Sequence, residues 1–268
     1  AHAGTSLLGP HDPPPTLERN PGGTSAVLLV CDHAGRRIPA RLGALGLPAA
    51  ARRRHIAWDQ GAAAVCADLS RRLDAPALWQ RYSRLVIDCN RPPGAPDSIV
   101  ETSDATTVPG NCGLAPQAIA ARRDEIFHPW HTRIGAVLDA RRHTGRPTVL
   151  IAIHSFTPAL AGAARPWHVG VMYGRDTTLA HALLVHLRRE PGLWVGDNEP
   201  YALSDTSDYT VPVHGERRAI PCAGIELRQD LLATAVLRRA WAARLAGAIG
   251  AVLRSNLARI PLPPATAI

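Results

Sequence analysis

Ile151-Ala152-Ile153-His154-Ser155-Phe156 is an apolar run that carries a histidine where a strand should stop. The same design occurs twice more. Val27-Leu28-Leu29-Val30-Cys31 leads into Asp32-His33, and Ala223-Gly224-Ile225 leads into Glu226-Leu227-Arg228. In open α/β sheets the ligand crevice lies outside the carboxyl ends of the strands. Two imidazoles and a carboxylate delivered to that edge suggest a metal-dependent hydrolytic site.

Working outward, period-2 and continuous apolar runs predict strands at 26–31, 77–80, 84–88, 148–153, 168–173, 193–195 and 224–227. Helical spacing predicts helices at 47–54, 61–73, 116–142, 177–188 and 231–253. Val65, Leu69 and Leu73 mark one of them, and Ile119, Ile126, Ile134, Val137 and Leu138 another. Alternation of this kind predicts an α/β fold, a three-layer sandwich with a mixed, largely parallel central sheet. The loops at 91–115 and 196–221 exceed ordinary connections, which marks them as functional. Residues 1–24, with Pro13-Pro14-Pro15 and Gly22-Gly23, are expected to form an extended or disordered arm. Residues 25–260 are expected to form one catalytic domain, and the Pro-rich 261–268 a tail.

The formal charge of +8 raises the alternative of a basic binding protein for nucleic acid or an acidic partner. Every basic residue is Arg, however, and Arg pairs such as Arg71-Arg72 and Arg141-Arg142 are scattered over helical stretches. No RNA-recognition, zinc-finger or basic-zipper signature is present, so no nucleic-acid partner is expected. No apolar run approaches a membrane span, so no membrane partner is expected either. Five cysteines without a C-x-x-C pair argue against a disulfide framework or a zinc knuckle, and a reducing cytoplasm is the expected compartment.

Catalytic zinc takes three protein ligands and keeps a position for water. His33 and His154 supply two. Asp59, in Trp58-Asp59-Gln60-Gly61, is the first candidate for the third. Asp32 is the second, although neighbours on a strand end point to opposite faces. Asp59 could instead cap the helix that starts after Gly61. Glu226 is the candidate general base, since zinc lowers the pKa of water to about 7 and a nearby carboxylate can accept the proton. A salt bridge from Glu226 to Arg228 is the competing structural role. Asn90-Arg91 follows an apolar run and could grip a substrate carboxylate, with Asp88 orienting a neighbour. Arg228, Asn198, Tyr201 and His214 complete the expected substrate-binding set. His55, His128, His131, His143, His181 and His186 fall in predicted helices and receive no role.

These segments together resemble the N-formylglutamate amidohydrolase family. The markers are Asp32-His33-Ala34-Gly35, Trp58-Asp59, Ser83 through Pro92, His154-Ser155-Phe156-Thr157-Pro158, Asp197 through Tyr201, His214-Gly215 and Glu226-Leu227-Arg228-Gln229-Asp230. The family is similar in turn to zinc carboxypeptidases and aspartoacylase-like deacylases. The resemblance implies a zinc-carboxypeptidase-like fold, one Zn2+ or another divalent ion per chain, and a small anionic N-acyl amino acid as substrate, N-formyl-L-glutamate first. It also implies that Asn90-Arg91 holds the substrate's carboxylate. One departure stands out. Those enzymes place a Glu three residues after the first His ligand, where this chain has Arg36. The carboxylate ligand must therefore come from elsewhere.

Overall fold

The computed structural model describes residues 6–256. Its core is a seven-stranded sheet in the order β1-β3-β2-β6-β11-β9-β10. In chain order, β1 is Thr16–Arg19, β2 Val27–Cys31 and β3 Ala77–Gln80. A small hairpin follows, β4 (Thr102–Ser103) with β5 (Thr106–Thr107). Then come β6 (Val149–Phe156) and a second hairpin, β7 (Ala159–Leu160) with β8 (Ala163–Ala164). Strands β9 (Val169–Met172), β10 (Val195–Asp197) and β11 (Cys222–Arg228) complete the set. Neighbours β3, β2, β6 and β11 run parallel. Strand β1 pairs antiparallel with β3, and β9 antiparallel with β11.

Every residue of β2 and β6 is buried, which explains their continuous apolar runs: a parallel strand is covered on both faces. One core layer packs α1 (Ala62–Leu73), α4 (Thr178–Leu187) and α5 (Ala235–Asn256) against one face. The other packs α2 (Pro116–Arg122) and α3 (His128–His143) with the 82–111 segment. A π-helical turn at Arg123–Phe127 joins α2 to α3, so the helix expected at 116–142 is observed with one widened, underwound turn.

Three expectations need correction. Residues 84–88 form turns, not a strand: Val86 N–H bonds the Ser83 carbonyl, and Asp88 N–H bonds Ser98. Leu85, Val86 and Ile87 are apolar because they are buried under the sheet, and a short apolar run does not distinguish that from a ladder. The helix expected at 47–54 is a single 3-10 turn at Ala51–Arg53. The strand expected at 193–195 lies two residues later, at Val195–Asp197. Within the stretch expected to be extended or disordered, Thr16–Arg19 forms β1; the tail at 261–268 lies outside the described residues.

Two glycines shape the site. Gly61 has φ +84° and turns the chain from Asp59 into α1; a Cβ there would strain the backbone and meet Leu232 at 2.6 Å. At Gly170 in β9 a Cβ would lie 1.9 Å from the Glu199 carbonyl oxygen. Only a bare backbone lets the 198–201 loop lie across β9.

Candidate active site

The carboxyl edge of the parallel strands brings His33, Asp59 and His154 together. Each offers one ligand atom, and all three atoms lie within 4.8 Å of one another. Asp59 Oδ2 is 3.0 Å from His154 Nδ1 and 3.4 Å from His33 Nδ1. The backbone ties these segments: Asp59 N–H bonds the His33 carbonyl, and Ser155 N–H donates to Asp59 Oδ2 at 3.2 Å. Asp59 does not cap α1, whose N-cap is Gly61 with no side-chain bond.

The other nitrogen of each ring faces a second buried carboxylate. His33 Nε2 lies 2.7 Å from Asp88 Oδ1, and His154 Nε2 lies 3.5 Å from Asp32 Oδ2. Asp32 is held from behind by Trp130 Nε1 at 2.9 Å and by the Thr210 hydroxyl at 2.6 Å. It therefore backs His154, and Asp59 takes the inner position. Carboxylate–histidine pairs of this form orient ring nitrogens toward a metal.

Do these residues fit a metal ion? His33 Nδ1 is buried without a hydrogen bond, turned inward toward Asp59 Oδ2 at 3.4 Å. Four buried carboxylates, Asp32, Asp59, Asp88 and Glu226, surround the two imidazoles, with Arg84 reaching Asp59 and Asp88. Burial pushes the Asp59 carboxyl up, but His33 and His154 outweigh it and hold it far below the usual range. Burial pushes His154 down, yet Asp32 and Asp59 carry it well above an ordinary imidazole. Two nitrogens, one carboxylate oxygen and surplus negative charge suit zinc or a similar divalent cation.

Glu226 stands in β11 directly opposite His154 in the β6 register. Its Oε2 is buried without a partner. Burial, reinforced by Asp59, pushes the carboxyl up to about 7 against the pull of His154, His33 and Arg84. Catalytic bases are tuned into this range. The competing pairing of Glu226 with Arg228 is not formed: Arg228 bonds Asp230 at 2.8 Å and the Pro166 carbonyl at 2.9 Å.

A cavity of about 400 Å³ opens over the cluster, with Glu226, Arg84, Arg91 and Tyr201 in its wall. Arg91 donates to Asp97 at 2.7 Å through Nε and to the Ser207 carbonyl at 2.6 Å through Nη1. Asn90 also lines the cavity, but its amide is committed inside the protein. Its oxygen accepts from Tyr209 and Thr210 N–H, and its nitrogen donates to Asp208 at 3.1 Å. Tyr201 arrives on the loop over Gly170, with Arg165 stacked 4.9 Å from its ring.

Three expected contact residues lie outside this cavity. Arg228 is occupied as above. Asn198 is a turn residue at φ +53° whose Oδ1 accepts from Tyr173 N–H. His214 belongs to a buried pair, 3.0 Å from His131 Nδ1. Burial depresses His131 to about 4 and, with His131 beside it, His214 to about 3, so both are neutral.

Sequence alone does not single out Arg84. Its guanidinium bonds Asp88 at 2.6 Å, approaches Asp59 at 3.5 Å and faces the cavity. The available signal is Arg84 four residues before Asp88, a spacing that pairs side chains on a helical turn but not on the strand expected there.

Relatives share this architecture. Gene product Atu2144 from Agrobacterium tumefaciens superposes with a TM-score of 0.90 at 35% identity, covering 93% of this chain and 98% of that one. N-formylglutamate amidohydrolase from Ralstonia eutropha JMP134 superposes at 0.61 with 18% identity, covering 90% and 99%. Comparison with curated proteins finds no match. The model of the N-formylglutamate amidohydrolase family matches residues 25–233, a span that includes His33, Asp59, His154 and Glu226, and the chain therefore belongs to that family.

Proposed function

We propose that this amide hydrolase is a zinc-dependent deacylase of N-acyl amino acids, with N-formyl-L-glutamate as the first substrate to assay. The observation that carries this reading is the cluster of His33, Asp59 and His154 beside a partnerless Glu226 in register on the next strand. A bound zinc ion would supply Lewis-acid polarisation of the acyl carbonyl and an acidified water. Glu226 takes the proton from the attacking water and delivers it to the departing nitrogen. Arg84 faces the cavity as a fixed positive charge where the carbonyl oxygen gains negative charge. Arg91, already anchored by Asp97 and Ser207, holds the α-carboxylate; Asn90 fixes the 209–210 backbone beside it. The buried thiols and free Cys112 fit a reducing compartment such as the cytoplasm. Among the described residues no helix is long and apolar enough to cross a membrane.

Elemental analysis of purified protein, with formate release from N-formyl-L-glutamate before and after chelation, tests this. About one zinc per chain and chelator-sensitive turnover are expected; full turnover in metal-stripped protein would refute it.

Two further outcomes follow from the geometry. Because Glu226 must be ionised to accept a proton, kcat/KM should rise with pH along an acid limb near 7. A cation beside the carboxyl can only move that limb lower, and a pH–rate profile with a limb well above 7 would contradict the assignment. Arg91→Ala should raise KM about 10–100-fold, since a hydrogen bond to a charged group contributes roughly 1.5–3 kcal/mol. Steady-state kinetics on one substrate read this directly, and an unchanged KM removes Arg91 from the carboxylate grip.

A further inference from the structure

Arg165 is a cation without a counterion beside the active-site cavity. Its guanidinium carbon lies 4.9 Å from the centre of the Tyr201 ring and 6.0 Å from that of Phe156. Among the described residues no carboxylate pairs with it. The guanidinia in the cavity wall are matched: Arg84 bonds Asp88 at 2.6 Å, and Arg91 bonds Asp97 at 2.7 Å. Arg91 keeps one corner for an α-carboxylate. A substrate with a second carboxylate needs another positive charge, and Arg165 is the unpaired one.

The stacking suits that use. Aromatic rings meet the flat face of a guanidinium, whereas its five N–H donors lie in its plane. The face of Arg165 is therefore engaged and its donor edge is left for an anion. Tyr201 lines the first cavity and also an adjoining one of about 360 Å³, whose wall includes His55 and Leu160. Leu160 belongs to the β7–β8 hairpin, and Arg165 directly follows β8. Burial first, with Arg54, Arg84 and Arg165 behind it and Asp104 opposing, pushes the His55 imidazole down. The charge of Arg165 thus reaches the second cavity's wall, where His55 stays neutral.

The backbone of Arg165 is fixed from two sides. Its N–H donates to the Pro158 carbonyl at 2.8 Å. Arg228 Nη1 donates to the Arg165 carbonyl at 3.4 Å and to the Pro166 carbonyl at 2.9 Å, while Asp230 accepts from Arg228 Nε at 2.8 Å. The end of β11 therefore holds the 165–166 segment without entering the cavity itself.

We infer that Arg165 is a specificity-determining residue, which binds the side-chain carboxylate of an acidic N-acyl amino acid while Arg91 holds the α-carboxylate, and that Arg228 is its positioning residue. The inference rests on the deacylase reading and adds the grip that tells an acidic side chain from its neutral isostere.

The test compares kcat/KM for N-formyl-L-glutamate and N-formyl-L-glutamine. One charge-assisted hydrogen bond should favour glutamate in the wild-type enzyme by about 10–100-fold; equal or greater efficiency on glutamine overturns the inference. Arg165→Met keeps an unbranched stem against Tyr201 and removes the charge. It should erase the preference for glutamate, and do so through KM rather than kcat. A preference that survives, or an equal loss on both substrates, overturns the role of Arg165. Arg165→Gln makes the same charge change should the methionine variant fail to fold. Arg228→Ala should give a smaller loss of the same kind, add little on top of Arg165→Met, and be partly reversed in Arg228→Lys. Fully additive losses would remove Arg228 as the positioning residue. Turnover of both substrates by the wild-type enzyme without a glutamate preference sinks the Arg165 grip alone, whereas turnover of neither sinks the deacylase reading and the grip with it.

Discussion

Glu226→Gln should lower kcat by about 10²–10⁴-fold, the range a positioned general base contributes, while metal content and thermal stability stay near wild type. The carboxyl is held in β11 opposite His154, and its raised pKa follows from burial and from Asp59. Glutamine keeps the volume and one oxygen acceptor but cannot take up a proton near neutral pH. The variant also removes a buried carboxylate whose Oε2 is unpartnered, so stability should not fall. The acid limb of the pH profile should vanish with the activity. A variant with wild-type kcat would show that the proton goes elsewhere.

His154→Ala should abolish stoichiometric metal binding and destabilise the metal-free protein by about 3–5 kcal/mol, the cost of breaking a buried ion pair. The imidazole stands between Asp59 at 3.0 Å and Asp32 at 3.5 Å, with Glu226 nearby. Its removal leaves the carboxylates of Asp59 and Asp32 facing each other without the charge between them. The pH dependence follows from the raised pKa of His154. The charged ring's stabilisation is complete below the unfolded pKa of about 6.5 and is lost as pH rises through the folded value. The gap in Tm between wild type and variant, both metal-free, should therefore be widest in mildly acidic solution and shrink at alkaline pH. Metal analysis at a ratio near one in the variant would exclude His154 as a ligand.

How much of this could be read without coordinates differs by element. β2, β6 and β11 are legible because parallel strands buried on both faces leave continuous apolar runs, and the cluster follows from their ends. Asp59 against Asp32 is not legible. The answer depends on Trp130, 98 residues away, and Thr210, 178 away, which turn Asp32 behind His154. Arg84 is hidden by a similar cause: 84–88 is apolar enough for a strand, yet its backbone groups bond Ser83, Ser98 and the side chains of Asn111 and Arg122 in place of a neighbouring strand. Asn198, His214 and Arg228 show the converse failure. Polar residues in long loops suggest a binding wall, but buried backbone also needs polar partners, and these three side chains serve protein atoms. Arg91 remains in the cavity because its anchors leave one corner of the guanidinium free.

The three clustered side chains come from segments far apart in the chain; His154 and Asp59 alone are separated by 95 residues. An unfolded chain therefore offers no ready chelate, and a cation finds its full ligand set only after β2, α1 and β6 have docked. On the proposed metal reading an ion would therefore bind last, with the completed scaffold as its prerequisite. Loss of such an ion would leave buried carboxylates and imidazoles that take up protons instead, so acidity and metal supply would compete at the same site.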